Sequence, residues 1–342
     1  MNINLTFINS TFVNLENLSR DTSISIGKGI TVCSVIMNAL AIFLIVTKSR
    51  KETKAYKTAL VTAHSLLCLA QFQWGFLMCI VPLFPFPAFI FYGVLSSFID
   101  VILLIQVWIF IIVSFLWTLF GTLVIRLRMV VRRNSFTNFS SRTYYIVSIS
   151  SYLFCVITVV ILFEVLRKPP EEIEAFIAWK YPKYSNVSRD NYLLVVSDKT
   201  TLHISALSCI LIAAALVACY ITLSISIFVE VRHRVNSMSA ALQRYHLKVL
   251  KDIVLQIIIK LVTFTFYPIL IVSLYYVSPE YNCINLTMLL YNVFVAAPIP
   301  GTVVLIVQTP SYRQFLFKTF TRVKAVEPVF ILNHRSSSFL FS

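Results

Sequence analysis

The sequence carries little charge. Only 13% of its 342 residues are Asp, Glu, Lys or Arg, against 58% hydrophobic residues. A soluble domain of this length cannot hide so much apolar surface, so lipid is the expected solvent. Acidic residues are outnumbered, and the net charge is +15. The basic residues stand in short blocks between apolar spans, which a positive-inside bias explains without a nucleic-acid partner. The seven cysteines include no Cys-x-x-Cys pair and no Cys/His cluster, so neither a metal site nor a cofactor is expected. The first 23 residues hold no continuous apolar run. A cleavable signal peptide is therefore not expected, and the first span serves as its own insertion signal. Absence of an internal repeat argues against transporter folds built from duplicated halves. The tail after residue 309 has no cysteine, which excludes palmitoylation there.

What the chain does have is long apolar spans. Residues 101–125 contain no charge, with Asp100 before them and Arg126, Arg128, Arg132 and Arg133 after them. As a helix this run is about 38 Å long, enough to cross a hydrocarbon core of about 30 Å. It reads as the third of seven transmembrane helices. The others are expected near 28–48, 58–81, 143–163, 201–229, 253–277 and 285–307. The organisation is then a polar tail over 1–23, a transmembrane unit over 24–309, and a tail over 310–342.

Polar residues inside the spans are few. Asn38 is read as bonding a neighbouring backbone carbonyl and facing the bundle. His64 is either an interhelical hydrogen-bonder or a pH-sensitive group. Pro82, Pro85 and Pro87 are expected to break the second helix. Asp252, Gln256 and Lys260 share one face of the sixth span, where Lys260 is either functional or reaches back to the interface. Pro298 and Pro300-Gly301 interrupt the seventh. Thr309 fits an N-cap and Pro310 a first helical position, opening an interfacial helix with Phe315, Leu316, Phe320 and Val323 on one face. The connection over 167–199 balances six basic residues with acids, and is either a lid or a solvated loop.

Twenty of the 29 lysines and arginines fall in the first, third and fifth connections and the tail. The N-terminus is therefore expected outside and the C-terminus inside. Sequons at Asn4, Asn9, Asn17 and Asn186 agree with this as glycosylation sites.

Seven spans in this orientation resemble a G-protein-coupled receptor. The rhodopsin-like details are missing: no acid and aromatic flank Arg126, no cysteine sits at the outer end of span three, and span seven lacks Asn-Pro-x-x-Tyr. The chain is more similar to the nematode serpentine chemoreceptors of class H (Srh) and the related class I (Sri). Val46-Thr-Lys-Ser-Arg50 leading to Lys54-Ala-Tyr-Lys57 resembles their basic first loop. His64, Pro82-Leu-Phe-Pro-Phe-Pro87 and Gly93 resemble their second span and outer loop. Residues 243–250, Gln256, Pro268, and Pro300-Gly301 followed by Tyr312-Arg313 continue the likeness over most of residues 30–320.

The resemblance implies an all-α seven-helix bundle with no enzymatic activity. It implies a chemosensory receptor of the plasma membrane, in sensory cilia, whose partners are a small molecule and a heterotrimeric G protein. Depth and aromatic character put Gln71, Trp74, Trp108, Phe115, Phe264, Tyr267 and Tyr291 in the expected ligand pocket, for a small, mostly apolar ligand. Arg126 is the expected G-protein switch. Cys79 and Cys283, on spans that neighbour each other in such bundles, form the expected disulfide. The competing class is a ligand-gated channel or transporter with seven spans; odorant-gated channels place the N-terminus inside. Enzymatic deglycosylation of the expressed chain should lower its apparent mass, and replacing Asn4, Asn9 and Asn17 by Gln should remove most of that shift. An unshifted band would place the N-terminus on the other side.

Overall fold

A computed structural model describes residues 5–49, 53–82, 88–132, 135, 138–165, 167–180, 193–195, 199–233, scattered positions between 247 and 273, and 284–319. Helix α1 (Leu5–Lys48) starts ahead of the first apolar span, and its part from Asp21 to Lys48 is long and apolar enough to cross a membrane. Helix α2 (Lys54–Phe72) begins earlier than hydropathy alone suggests, because Thr53 is extended and its side chain accepts the Tyr56 N–H.

The end of α2 departs from expectation. The helix widens into a π turn over Gln73–Met78 and stops at Cys79, whose φ of 42° is left-handed. The Cys79 N–H closes the turn on the Trp74 carbonyl at 2.8 Å. The second helix is thus ended by a left-handed residue rather than by the prolines. Pro82 instead ends strand β1 (Ile80–Pro82), which pairs antiparallel with β2 (Ala88–Phe91).

Helix α3 (Val101–Val130) is capped by Asp100, whose Oδ1 accepts the N–H groups of Ile102 at 2.8 Å and Leu103 at 3.2 Å. The acid that marks the border of the apolar run is therefore also its N-cap. Helix α4 (Ser141–Val165) follows. Within the long connection, α5 (Pro170–Lys180) has proline first, Glu171 and Glu172 in its first turn and Lys180 in its last. Strand β3 (Leu193–Val195) from the same connection adds to β2, with Ala88 opposite Val195. Ile173, Phe176 and Ile177 of α5 pack on Ala88 and Val195.

Among the described residues this small sheet is the one addition to the all-α expectation. Its strands are short, apolar and rich in β-branched and aromatic residues. Where water is scarce, their backbone groups are satisfied by pairing.

Helix α6 (Lys199–His233) runs past the expected boundary, so Glu230 lies in the helix and not in the linker. Helix α7 (Ile284–Ala296) and helix α8 (Pro298–Gln308) are separated at Ala297, where proline removes the next N–H. A further helix covers 310–319. Among the described residues six helices are long and apolar enough to cross a membrane. The expected sixth span is helical at the positions described, and Leu250 just before it is buried with Ile227 and Val231 of α6 and Leu127 of α3. Helix α4 turns large apolar side chains outward, Phe154 being 68% exposed, as a lipid-facing helix does.

Helix α3 is fastened on several sides. Trp117 Nε1 donates to Ser148 Oγ of α4 at 2.7 Å, and the Ser114 and Tyr152 hydroxyls bond at 2.8 Å. The Tyr220 hydroxyl of α6 donates to the Leu116 carbonyl. Gln73 Nε2 donates to the Leu104 carbonyl at 3.0 Å, and Trp108 Nε1 donates to the Ala70 carbonyl of α2 at 3.2 Å. At the Asp100 end Arg167 bridges Asp100 and Glu164, each at 3.0 Å. These exposed pairs are screened by solvent and contribute little to stability.

Gly75, in the π turn, lies so close to α1 that a Cβ there would sit 2.1 Å from Thr31 Oγ1. Gly75→Ala should destabilise the chain by about 1–3 kcal/mol. A lowered thermal midpoint of the purified protein checks this, with Gly29→Ala, which meets nothing within 4 Å, as the control.

Candidate functional site

Three groups of side chains stand out, two of them built on α3. At the Asp100 end, four aromatic residues from three segments meet. Trp74 of the π turn and Trp108 of α3 have ring centroids 4.4 Å apart. Trp74 stacks on Tyr291 of α7 at 6.1 Å and meets Phe294 edge-on at 5.4 Å. Trp108 meets Phe294 at 6.4 Å. Trp74 and Trp108 also pack against Ile80 and Phe91 of the hairpin and Leu194 of β3, so the sheet closes over the cluster. Gln71, one helical turn before Trp74, is 3% exposed, and its Oε1 has no hydrogen-bond partner. The indole N–H of Trp74 faces the Tyr291 hydroxyl without reaching hydrogen-bond geometry.

Near the middle, Asn38 Oδ1 accepts from His64 Nδ1 at 2.9 Å and from the Thr302 hydroxyl at 3.1 Å. Its amide donates to the Ser34 carbonyl at 2.9 Å, which fixes Oδ1 as the acceptor and puts the His64 proton on Nδ1. All three side chains are buried, and they join α1, α2 and α8. Asn38 makes the backbone bond expected of it, and His64 bonds across helices.

At the other end Arg126 is 7% exposed, and its guanidinium carbon lies 3.9 Å from the ring centroid of Tyr56 on α2. Two residues beyond the helix end, Arg132 pairs with Glu230 of α6 at 3.0 Å, while the Arg132 N–H and the Ser135 hydroxyl also donate to that carboxylate. Glu230 is 3% exposed. The helix over 310–319 docks beside this group. The Tyr312 and Ser49 hydroxyls are bonded, and Lys48 Nζ lies 4.0 Å from the centre of the Phe315 ring. Thr309 precedes that helix, but its hydroxyl donates back to the Leu305 carbonyl at 2.8 Å and does not cap it.

Of the expected pocket residues, the structure brings Trp74, Trp108 and Tyr291 together, and Gln71 lies three residues before Trp74, at the end of α2. Phe115 lies deeper and is fully buried in the main core with Leu119 and Leu123. Phe264, Tyr267, Lys260, Cys283, Asn4 and Asn186 lie outside the described residues, as do Phe320 and Val323. Asn9 and Asn17 fall on α1, and Cys79 is buried at the left-handed turn. Sequence reasoning missed Phe294, although it follows Tyr291 by one turn of the same helix. It also missed Tyr56 and Glu230 as partners of arginines.

The Asn38 oxygen holds two donors from two helices, so Asn38→Leu should destabilise more than His64→Leu or Thr302→Val alone. The expected difference is about 1 kcal/mol, one buried hydrogen bond, because the Thr302 hydroxyl keeps its bond to the Pro298 carbonyl at 3.1 Å. Thermal midpoints of the three variants in one detergent check the order.

A family model described as serpentine type 7TM GPCR chemoreceptor Srh matches residues 19–322. No curated protein matches the chain. The matched stretch runs from the approach to the apolar part of α1 to beyond the helix over 310–319, taking in all three groups of side chains. The chain therefore belongs to the Srh family of serpentine seven-transmembrane chemoreceptors, a receptor class that is not an enzyme.

Proposed function

We propose that this chain binds a small, mostly apolar molecule at the Trp74–Trp108–Tyr291–Phe294 cluster and signals from the Arg126 end to a heterotrimeric G protein. The observation that carries this reading is the arrangement along α3. An aromatic cluster built from three segments sits near one end, and a buried arginine held by a ring from another helix sits near the other. With the N-terminus outside, the cluster faces the exterior and Arg126 the cytoplasm of a plasma-membrane receptor, in sensory cilia. Phe264 and Tyr267 complete the pocket from the sixth span. Asn4, Asn9, Asn17 and Asn186 carry glycans. Cys79 is a free, buried thiol in the structure, so the expected disulfide with Cys283 is not part of this reading.

A ligand shifts a conformational equilibrium only by binding one state better than another. A molecule seated among the rings draws Tyr291 and Phe294 away from Trp74. Helix α7 meets α8 at the proline break, so its movement reaches Thr302 and the Asn38 oxygen. The resulting shift of α2 and α8 against α3 loosens Arg126 from Tyr56 and Arg132 from Glu230. The sixth span, whose approach packs there through Leu250, then moves outward and opens a cytoplasmic groove.

Arg126→Ala should reduce ligand-evoked signalling to background while leaving surface expression intact. A cell assay that scores both tests this, and undiminished signalling from a normally expressed variant would remove Arg126 from the mechanism.

A further inference from the structure

Two glutamines and two tryptophans lie within four residues of the π turn or against it, and they divide by role. Gln73 and Trp108 are committed, each donating to a backbone carbonyl across the α2–α3 contact. Gln71 and Trp74 are not: among the described residues the buried Gln71 Oε1 has no hydrogen-bond partner, and Trp74 Nε1 faces the Tyr291 hydroxyl without completing a hydrogen bond to it. Gln71 is 3% exposed, so bulk solvent does not reach it. A buried acceptor left alone is costly, and an apolar side chain of similar shape would avoid that cost. One acceptor and one donor, three residues apart in sequence at the junction of α2 and the π turn, match a group that both donates and accepts. The π turn that carries Trp74 is itself a distortion of the kind that re-aims side chains at functional sites.

We infer that the ligand is a small neutral molecule with one hydroxyl on an apolar body. Its hydroxyl donates to Gln71 Oε1 and accepts from Trp74 Nε1, and its apolar body displaces Tyr291 and Phe294 from Trp74. This rests on the reading of the aromatic cluster as the ligand site and narrows it from apolar molecules in general. A ketone can only accept and an alkane does neither, so both leave Gln71 unpaired.

The test uses the full chain in lipid nanodiscs, titrated with octanol, octanone and octane, with saturable tryptophan fluorescence change as the readout. Octanol should bind about tenfold more tightly than octanone, the equivalent of one buried hydrogen bond, and more tightly still than octane, which makes neither bond. Gln71→Leu should bring octanol down to the level of octanone and leave octanone unchanged. The same variant without ligand should have an equal or higher thermal midpoint, because it removes an unpaired acceptor. Trp74→Phe, which keeps a ring but loses the N–H, should weaken octanol and octanone alike. Octanone or octane binding as tightly as octanol, or a preference for octanol that survives Gln71→Leu, overturns the hydroxyl inference alone. A lower midpoint in Gln71→Leu also overturns it, by assigning that glutamine to the fold. Failure of all three probes to bind saturably overturns the hydroxyl inference together with the cluster as the site for apolar ligands.

Discussion

Inside hydrocarbon, a polar side chain has no water to turn to, and helices gain nothing by hiding apolar surface from a solvent that is itself apolar. The helices of this chain are therefore held by interhelical hydrogen bonds and by close backbone approach. Helix α3 shows the first means, with ties to α2 through Gln73 and Trp108, to α4 through Trp117 and Ser114, and to α6 through Tyr220. Gly75 shows the second, since nothing larger fits against Thr31 of α1. Asn38 combines both tasks, being buried in α1 while its one amide group binds partners on α2 and α8.

The same constraint makes the exceptions informative. Most buried polar groups in the bundle have partners, so an amide oxygen and an indole N–H left without one beside an aromatic cluster stand apart. Arg126 is almost wholly buried, with its guanidinium over the face of Tyr56. Glu230 is also buried, and Arg132 and Ser135 surround its carboxylate with donors.

The spans were legible because lipid leaves a coarse mark on sequence: long uncharged runs bounded by charge. Asp100 could be read as a border, and the structure adds that it caps the helix. The break at Pro298 and the helix after Thr309 were legible because proline lacks an N–H wherever it stands. The three-stranded sheet was not. Its strands are three or four residues long, and β3 comes from a part of the chain about a hundred residues away. The end of α2 was misassigned for a related reason. Three prolines offered an obvious breaker, while the left-handed residue that stops the helix is a cysteine, a residue type that rarely adopts that backbone.

At the candidate site, sequence supplied Trp74, Trp108, Tyr291 and Gln71 as deep aromatic or polar residues on separate spans, and it supplied Arg126 by position. It placed Phe115 in the same set, because depth along a helix says nothing about which way a side chain faces after packing. Sequence by itself determined the solvent, the spans and the family, since hydropathy, charge and motif order are properties of the chain read in line. Only the tertiary structure decided which of two neighbouring glutamines is engaged and which is open, and which ring covers which cation. Those outcomes depend on distances between helices, and such distances are set when the bundle packs.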